Sequence, residues 1–308
     1  MIYARTCLQR SLLAGSIPNR SPRGIKTITT VRTHATAQVT YPQTRLEFKS
    51  SIKSGKKSIG LFLNASSPTI ADAIAAAHLY DWLLVDCQHS PVNLNLLHHM
   101  LASISTHSCP SLVRVGGPYD RIGIQQALDA GAYGIMVPTI KTVDDAKAAV
   151  DAAFFPPLGS RSFAAPIPPQ HGRSVADFLH TANAETLLIV QIETKEAYEN
   201  LKEILSVPGI DATFVGPFDL SCALGIFEKH GFPRGLASQD LRQACRRIAA
   251  ECKEVGVVPG SFASDAQGAA TWAKEGFTLL SAATDVGLVL GEAERHAQAM
   301  RTLTSSTQ

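Results

Sequence analysis

The sequence lacks several features that mark common classes of protein. No apolar run approaches the roughly 20 residues that a transmembrane helix needs, so no membrane partner is expected. The formal net charge is +2, with no basic stripe typical of nucleic-acid binders, so no nucleic-acid partner is expected. The six cysteines form no Cys-x-x-Cys pair, which favours reduced thiols in an intracellular compartment over disulfides. With 308 residues, 45% of them hydrophobic, the chain can form one large globular domain.

Acidic residues are absent from residues 1–46, which contain seven basic ones. The other 21 of the 28 Lys and Arg and all 26 Asp and Glu lie in residues 47–308. An N-terminus rich in Arg, Ser and Thr and free of acids resembles a mitochondrial transit peptide. We therefore predict a leader at 1–46, a barrel domain at 47–308 and a location in the mitochondrial matrix. The alternative is a disordered N-terminal extension on a cytoplasmic protein.

From residue 58 onward, short apolar runs alternate with helical segments about eight times. This alternation is typical of βα units around a parallel sheet, and we predict an α/β fold, a single-domain (β/α)₈ TIM barrel. A doubly wound open sheet is the alternative, but no Gly-x-Gly-x-x-Gly follows the first strand. The predicted strands are Ile59–Leu63, Trp82–Asp86, Ser111–Val115, Gly134–Val137, Leu187–Glu193, Ala212–Gly216, Val257–Ser261 and Leu279–Ala283.

Polar residues follow several of these apolar runs. In a barrel the active site forms at the C-terminal ends of the strands, so we expect these side chains on one rim. Gln191 and Glu193 are two apart on a strand and both face the barrel interior if Ile192 faces the helices. The residues predicted to meet there are Asp86, His89, Arg114, Gln191, Glu193 and Asp219.

Each of these residues also has an ordinary structural interpretation. His89 could cap a helix, Arg114 could neutralise Asp86, and Glu193 or Asp219 could begin a helix. Their coincidence on one rim favours a functional site, because a buried acidic cluster is costly unless it holds an ion.

Glu193 and Asp219 suit a divalent metal ion. Two carboxylates, with water and substrate oxygens in the remaining positions, match the preferences of Mg²⁺ or Mn²⁺. The backbone N–H groups of Phe218 and Asp219 could hold a substrate carboxylate nearby. Arg114 could stabilise the negative charge of an enolate, and His89 could transfer the proton.

The chain resembles the HpcH/HpaI aldolase family over roughly residues 58–300. The motifs that carry the resemblance are Tyr80-Asp-Trp-Leu-Leu-Val-Asp-Cys-Gln-His-Ser-Pro91, Val113-Arg114, Leu128-Asp-Ala-Gly-Ala132, Val137-Pro138, Val190-Gln-Ile-Glu193 and Val215-Gly-Pro-Phe-Asp-Leu-Ser221. This resemblance implies a class II, metal-dependent pyruvate aldolase on a TIM barrel, often hexameric, with the last helix exchanged between neighbouring subunits.

The resemblance also implies a role for each matching residue. Glu193 and Asp219 match the metal ligands, with Co²⁺ as a further option for the ion. Gln191 and the Phe218 backbone match substrate contacts, and Asp86 belongs with the catalytic residues. His89 matches the general base and Arg114 the residue that stabilises the transition state. Asp129 matches an acid that raises the basicity of the histidine, and it can do so only if a neighbouring subunit delivers it.

The implied reaction cleaves or forms 4-hydroxy-2-oxo acids, giving pyruvate and an aldehyde through an enolate. One departure from the family motif is Gln88, which replaces a carboxylate just before the histidine and places the preferred substrate in question. Alternatives are a metal-dependent oxaloacetate decarboxylase or macrophomate synthase-like enzyme, and a non-catalytic barrel that binds a 2-oxo acid. A Schiff-base aldolase is a further rival, but no lysine ends a predicted strand.

Overall fold

Eight parallel strands close into a barrel in which each strand pairs with the next along the chain and β8 pairs with β1. The structure is a computed structural model and describes residues 38–163, 174–263 and 265–305. The predicted TIM barrel is confirmed. The strands are β1 (Ser58–Leu63), β2 (Trp82–Asp86), β3 (Ser111–Arg114), β4 (Gly134–Val137), β5 (Leu187–Ile192), β6 (Ala212–Val215), β7 (Val258–Ala263) and β8 (Leu279–Thr284).

Helices connect the strands and cover the outside of the barrel. Within the described ranges they are α1 (Arg45–Lys53), α2 (Pro68–Ala76), α3 (Leu94–Ser105), α4 (Arg121–Asp129), α5 (Val143–Ala153), α6 (Val175–Glu185), α7 (Lys195–Glu199), α8 (Leu201–Leu205), α9 (Pro217–Ala223), α10 (Ile226–His230), α11 (Gln239–Glu254), α12 (Ala266–Lys274) and α13 (Asp285–Ser305), with a 3₁₀ helix at Arg234–Ala237. None of them is long and apolar enough to cross a membrane.

Strand residues alternate between two apolar clusters, as a side-chain period of two requires. On β2, Trp82 and Leu84 belong to the cluster inside the barrel, whereas Leu83 and Val85 pack outward against the helices. The inner cluster ends at α1, where Phe48 and Ile52 are buried against it. Helix α1 therefore closes the end of the barrel opposite to the carboxyl ends of the strands.

The inside of the barrel depends on one close approach of backbone to ring. A Cβ atom at Gly60 would lie 2.1 Å from the Trp82 indole, far inside van der Waals contact. Gly60 and Trp82 are register partners on β1 and β2. Because residue 60 has no side chain, the Trp82 indole can pack against the β1 backbone in the inner cluster.

The end of the acid-free N-terminal segment packs on the barrel. The Tyr41 hydroxyl is buried and donates to the carbonyl of Ala75 at 3.0 Å. The Arg45 guanidinium donates to the carbonyls of Gly131 and Ala132 at 2.8 and 3.2 Å. Residues 1–37 of the predicted leader lie outside the described residues, and the boundary at residue 46 stays a prediction.

Some elements differ from the sequence-based prediction. The sequence predicts one helix at 197–205, but the helical segment after β5 is divided at Asn200 into α7 and α8. The sequence also predicts a short helix at 175–181, which extends to Glu185 in the structure. Helices α9 and α10 after β6 were not predicted. Residues 155–184, which are rich in Pro and Gly, are predicted to be mostly irregular, and residues 164–173 of this stretch lie outside the described ones.

Candidate active site

The predicted rim residues lie at the carboxyl ends of neighbouring strands. Asp86 and Arg114 are the last residues of β2 and β3 and are register partners. Gln191 is the fifth residue of β5, and Glu193 directly follows that strand. Ile192 lies in the outer cluster, so Gln191 and Glu193 face the barrel interior, where they are 2% and 5% exposed.

Hydrogen bonds link these four side chains into one line across the barrel mouth. The Arg114 guanidinium donates to both oxygens of Asp86, from Nε at 2.9 Å and from Nη2 at 2.7 Å. Its Nη1 lies 3.5 Å from the Gln191 Oε1 atom. The Gln191 amide nitrogen in turn donates to Glu193 Oε2 at 2.9 Å. The position of each side chain therefore depends on its neighbours.

Asp86 remains ionised although it is fully buried. Burial opposes its charge, but the hydrogen bonds and charge of Arg114 outweigh that effect and lower the pKa of the carboxyl. The backbone N–H groups of Gln88 and His89 donate to Asp86 Oδ1 at 3.0 and 3.3 Å. Asp86 therefore orients Arg114 and also fixes the backbone of the segment that carries His89.

Glu193 is in an environment that disfavours its charge. Burial raises the pKa of this carboxyl to about 7, and the nearby charge of Asp219 adds to the effect, while the N–H of Thr139 acts against it. That N–H donates to Glu193 Oε1 at 2.8 Å. A cation beside the two carboxylates would remove this penalty.

The space between Glu193 and Asp219 exists because residue 216 is glycine. A Cβ atom there would lie 2.7 Å from Glu193 Oε2 and 3.5 Å from Asp219 Oδ2. Both oxygens thus converge beside one point that carries no side chain. In the described part of the chain, no group of three or more His, Cys, Asp and Glu residues could hold a metal ion. Two carboxylates with open positions fit a divalent ion that keeps water or substrate oxygens as its other ligands.

Helix α9 presents free backbone donors at the same place. Its first intrahelical hydrogen bond runs from the N–H of Leu220 to the carbonyl of Gly216, at 2.9 Å. The N–H groups of Phe218 and Asp219 precede it and have no acceptor within the helix. That these N–H groups hold a substrate carboxylate stays a prediction.

His89 and Asp129 are not part of the line of hydrogen bonds. His89 is half-buried, and its ring makes no hydrogen bond to the described residues. Asp129 ends α4, and a helix that follows a barrel strand ends at the opposite rim. There Asp129 accepts a hydrogen bond of 2.6 Å from the buried Arg161.

Two residues of the site were missed in the sequence. Asn64 follows β1 and donates to Asp86, and it could have been found because it is also a polar residue after an apolar run. Thr139 holds Glu193 through a backbone N–H at a φ of 56°, a left-handed conformation that is rare for a β-branched residue. Nothing in the sequence around Thr139 predicts that conformation.

Several known proteins are similar to this chain, among them two bacterial aldolases. A 2-keto-3-deoxy-L-rhamnonate aldolase from Klebsiella pneumoniae is 39% identical over 68% of this chain and 77% of the relative. A 4-hydroxy-2-oxo-heptane-1,7-dioate aldolase from Shigella sonnei is 32% identical over 80% of this chain and 92% of the relative. The crystal structure of an HpcH/HpaI aldolase/citrate lyase family protein from Burkholderia cenocepacia has a TM-score of 0.75 at 32% identity, covering 83% of this chain and 99% of that one.

The prediction of a mitochondrial location is wrong. The two similar aldolases come from bacteria, which have no mitochondria. Within the acid-free segment, Tyr41 and Arg45 donate hydrogen bonds to carbonyls of the barrel. The composition of a segment records its charge, but it does not show whether its arginines are needed for packing.

The family profile described as HpcH/HpaI aldolase/citrate lyase matches residues 58–291, which include all eight strands. The predicted family and the predicted class of enzyme, a carbon–carbon lyase, are confirmed by this match and by the similar aldolases. The chain belongs to the HpcH/HpaI aldolase/citrate lyase family.

Proposed function

We propose that this protein is a divalent-metal-dependent pyruvate aldolase that cleaves or forms 4-hydroxy-2-oxo acids, with an aldehyde as the second product or substrate. The observation that carries the proposal is the convergence of the Glu193 and Asp219 oxygens beside Gly216, with Arg114 linked to Glu193 through Gln191. A two-carboxylate ion site and a mostly buried cation then lie on one rim, as an enolate-forming reaction needs.

Glu193 and Asp219 would hold the metal ion, which we propose to be Mg²⁺ or Mn²⁺, with Co²⁺ as a further option. When bound, such an ion acts as a Lewis acid toward the oxygens of a 2-oxo acid. Gln191 and the N–H groups at the start of α9, in particular that of Phe218, would orient the substrate carboxylate. Asp86 holds the Arg114 guanidinium in the mouth of the barrel, where its charge stabilises the enolate oxygen.

His89 would transfer the proton. In the cleavage direction it removes the proton of the 4-hydroxyl group, the C3–C4 bond breaks, and the aldehyde leaves. The electron pair of that bond forms the enolate of pyruvate, which is then protonated at C3. If Asp129 supports His89, a neighbouring subunit must supply it, because within one chain it pairs with Arg161 at the other rim.

A screen of 4-hydroxy-2-oxo acids with Mg²⁺, Mn²⁺ or Co²⁺, measuring pyruvate and aldehyde, tests the proposal. We expect turnover that excess chelator removes and that Glu193→Ala and Asp219→Ala abolish. Full activity in chelator would refute the metal-dependent mechanism. CO₂ release from oxaloacetate without aldehyde release from any hydroxy acid would favour decarboxylation instead, and pyruvate binding without any turnover would favour a binding protein.

A Schiff-base mechanism can be tested separately. Lys141 and Lys195 follow β4 and β5 but are exposed on the surface, outside the buried line of rim residues. We expect no covalent adduct when borohydride is added with pyruvate. A trapped adduct on either lysine would refute the proposed mechanism.

We also propose that the protein is a homo-oligomer, a hexamer as the family resemblance implies. Helix α13 supports this: among its residues only Asp285 is buried, and Leu288, Leu290, Met300 and Leu303 are all at least 46% exposed. Exposed apolar residues on a 21-residue helix are typical of an interface between subunits. Light scattering coupled to size-exclusion chromatography measures the mass, and a monomer at micromolar concentration would contradict the proposal.

A further inference from the structure

Asn64 directly follows β1, and its side chain lies in the mouth of the barrel. Leu63 packs in the outer cluster, so the next residue faces inward. The Asn64 Nδ2 atom donates to Asp86 Oδ2 at 2.7 Å and to Ser90 Oγ at 3.0 Å. An ionised carboxylate only accepts hydrogen bonds, so the amide must turn its nitrogen toward Asp86.

Asn64 shares one oxygen of Asp86 with the guanidinium. Asp86 Oδ2 accepts from Asn64 and from Arg114 Nη2, both at 2.7 Å. Asp86 Oδ1 accepts from Arg114 Nε and from two backbone N–H groups. Each oxygen is thus held from more than one direction. Without Asn64, Oδ2 would keep Arg114 as its donor, but the carboxylate and the guanidinium would lose the hydrogen bond that connects them to the end of β1.

The same amide reaches the segment that carries the proposed base. Ser90 directly follows His89, so its hydrogen bond with Asn64 connects that segment to the end of β1. The backbone of Asn64 is fixed separately, because its N–H donates to Asp285 Oδ1 at 2.7 Å. A change of the Asn64 side chain therefore leaves the end of the strand anchored.

We propose that Asn64 is a positioning residue for the reaction, which holds Asp86 and Arg114 in place relative to the segment that carries His89. The expected effect on kcat rests on the proposed aldolase function, whereas the expected displacement of Arg114 can be measured whatever reaction the protein catalyses. Glu193 ends the line of hydrogen bonds, with Gln191 between it and Arg114, and Asp219 is not part of the line. We therefore expect a change of Asn64 to leave their affinity for an ion nearly unchanged.

The test compares Asn64→Leu, which has a similar volume and no donor, with Asn64→Ala, which removes the donor without adding bulk. We expect kcat for aldol cleavage to fall by roughly tenfold to a hundredfold, since a displacement of about 1 Å in a catalytic group can have an effect of that size. KM should change by less than about twofold, because an interaction specific to the transition state is lost. Mn²⁺ affinity, from calorimetric titration, should not change. Ser90→Ala is the matched control: it keeps the bond to Asp86, and we expect a smaller loss of kcat.

An unchanged kcat in both Asn64 variants would overturn the proposal. It would do so even if their melting temperatures were lower, because Asn64 would then contribute only to stability. Crystal structures of the variants provide a readout that needs no activity: we expect the Arg114 guanidinium displaced from its wild-type position, and an unmoved Arg114 overturns the proposal. If the wild-type protein were inactive on every 4-hydroxy-2-oxo acid, that result would refute the proposed function instead. The position of Arg114 in the variants would then still show whether Asn64 holds it in place.

Discussion

Substitution of Gly216 by alanine should weaken the proposed metal site without altering the backbone. Gly216 has φ −90° and ψ 94°, which any residue can adopt. The added Cβ would lie 2.7 Å from Glu193 Oε2, whereas ordinary contact begins at 3.4 Å. Glu193 is buried and held by Thr139 and Gln191, so it can retreat only by straining or breaking one of those hydrogen bonds.

The carboxylate must therefore move by about 0.7 Å, the difference between those two contact distances. A displacement of this order in a catalytic group can reduce the rate by up to about a hundredfold. We expect Gly216→Ala to lower both Mn²⁺ affinity and kcat by roughly tenfold or more. Overpacking of a filled interior should lower the free energy of unfolding by about 1–3 kcal/mol.

Calorimetric titration with Mn²⁺ and steady-state aldol cleavage measure the two effects, and Gly268→Ala is the matched control. A Cβ at Gly268 would meet Ala263 and Asp265 at 3.4 Å, an ordinary contact on the same side of the barrel. The control should keep wild-type affinity and rate. Wild-type Mn²⁺ affinity in Gly216→Ala would refute the argument that the oxygens of Glu193 and Asp219 converge there to bind an ion.

Four further predictions concern pH and packing. In the metal-free protein the pKa of Glu193 is raised to about 7, so Mn²⁺ affinity should rise by roughly tenfold per pH unit between pH 5 and 7. An affinity that does not change with pH in a titration series would contradict this prediction. Because of this raised pKa, the folded state binds more protons than the unfolded chain between about pH 4.5 and 7. The free energy of unfolding of the metal-free protein, measured in urea, should therefore fall as the pH rises through that window. A free energy of unfolding that rises with pH there would contradict the prediction. Asp86→Asn leaves the mostly buried Arg114 without its ion pair and should lower the free energy of unfolding by about 3–5 kcal/mol, measured in urea. A loss below about 1 kcal/mol would show that solvent compensates for the lost ion pair. Gly60→Ala places a Cβ atom inside the Trp82 ring and should lower the free energy of unfolding by at least about 1–3 kcal/mol. An unchanged melting temperature would show that the indole can move away.

The positions of the strands and most of the rim residues could be predicted because they depend on local patterns. The bounds of β2 and β4 agree with the prediction at both ends, since each is a short apolar run between polar or small residues. Once the barrel is assumed, the two-residue period of a strand and the common rim of parallel strands place Asp86, Arg114 and Gln191 together. These inferences need no knowledge of which distant residues touch.

Long-range contacts could not be predicted in the same way. The closure of the barrel by Phe48 on α1 and the ion pair of Asp129 with Arg161 join residues that are far apart in sequence. The acid-free composition around Arg45 resembled a targeting segment, but its guanidinium binds carbonyls more than 80 positions away. Composition does not determine such partners, because they depend on how the chain returns on itself.

By itself the sequence determined the barrel, the family and the rim on which the candidate site lies, because hydrophobic periodicity and strand-end chemistry are local properties. Only the tertiary structure decided how the site is held. The N–H of Thr139 reaches Glu193 from the next strand, the amide of Asn64 reaches Asp86 across the mouth, and the missing side chain of Gly216 leaves room for an ion. Each of these contacts depends on atoms that the closed barrel brings together from separate strands.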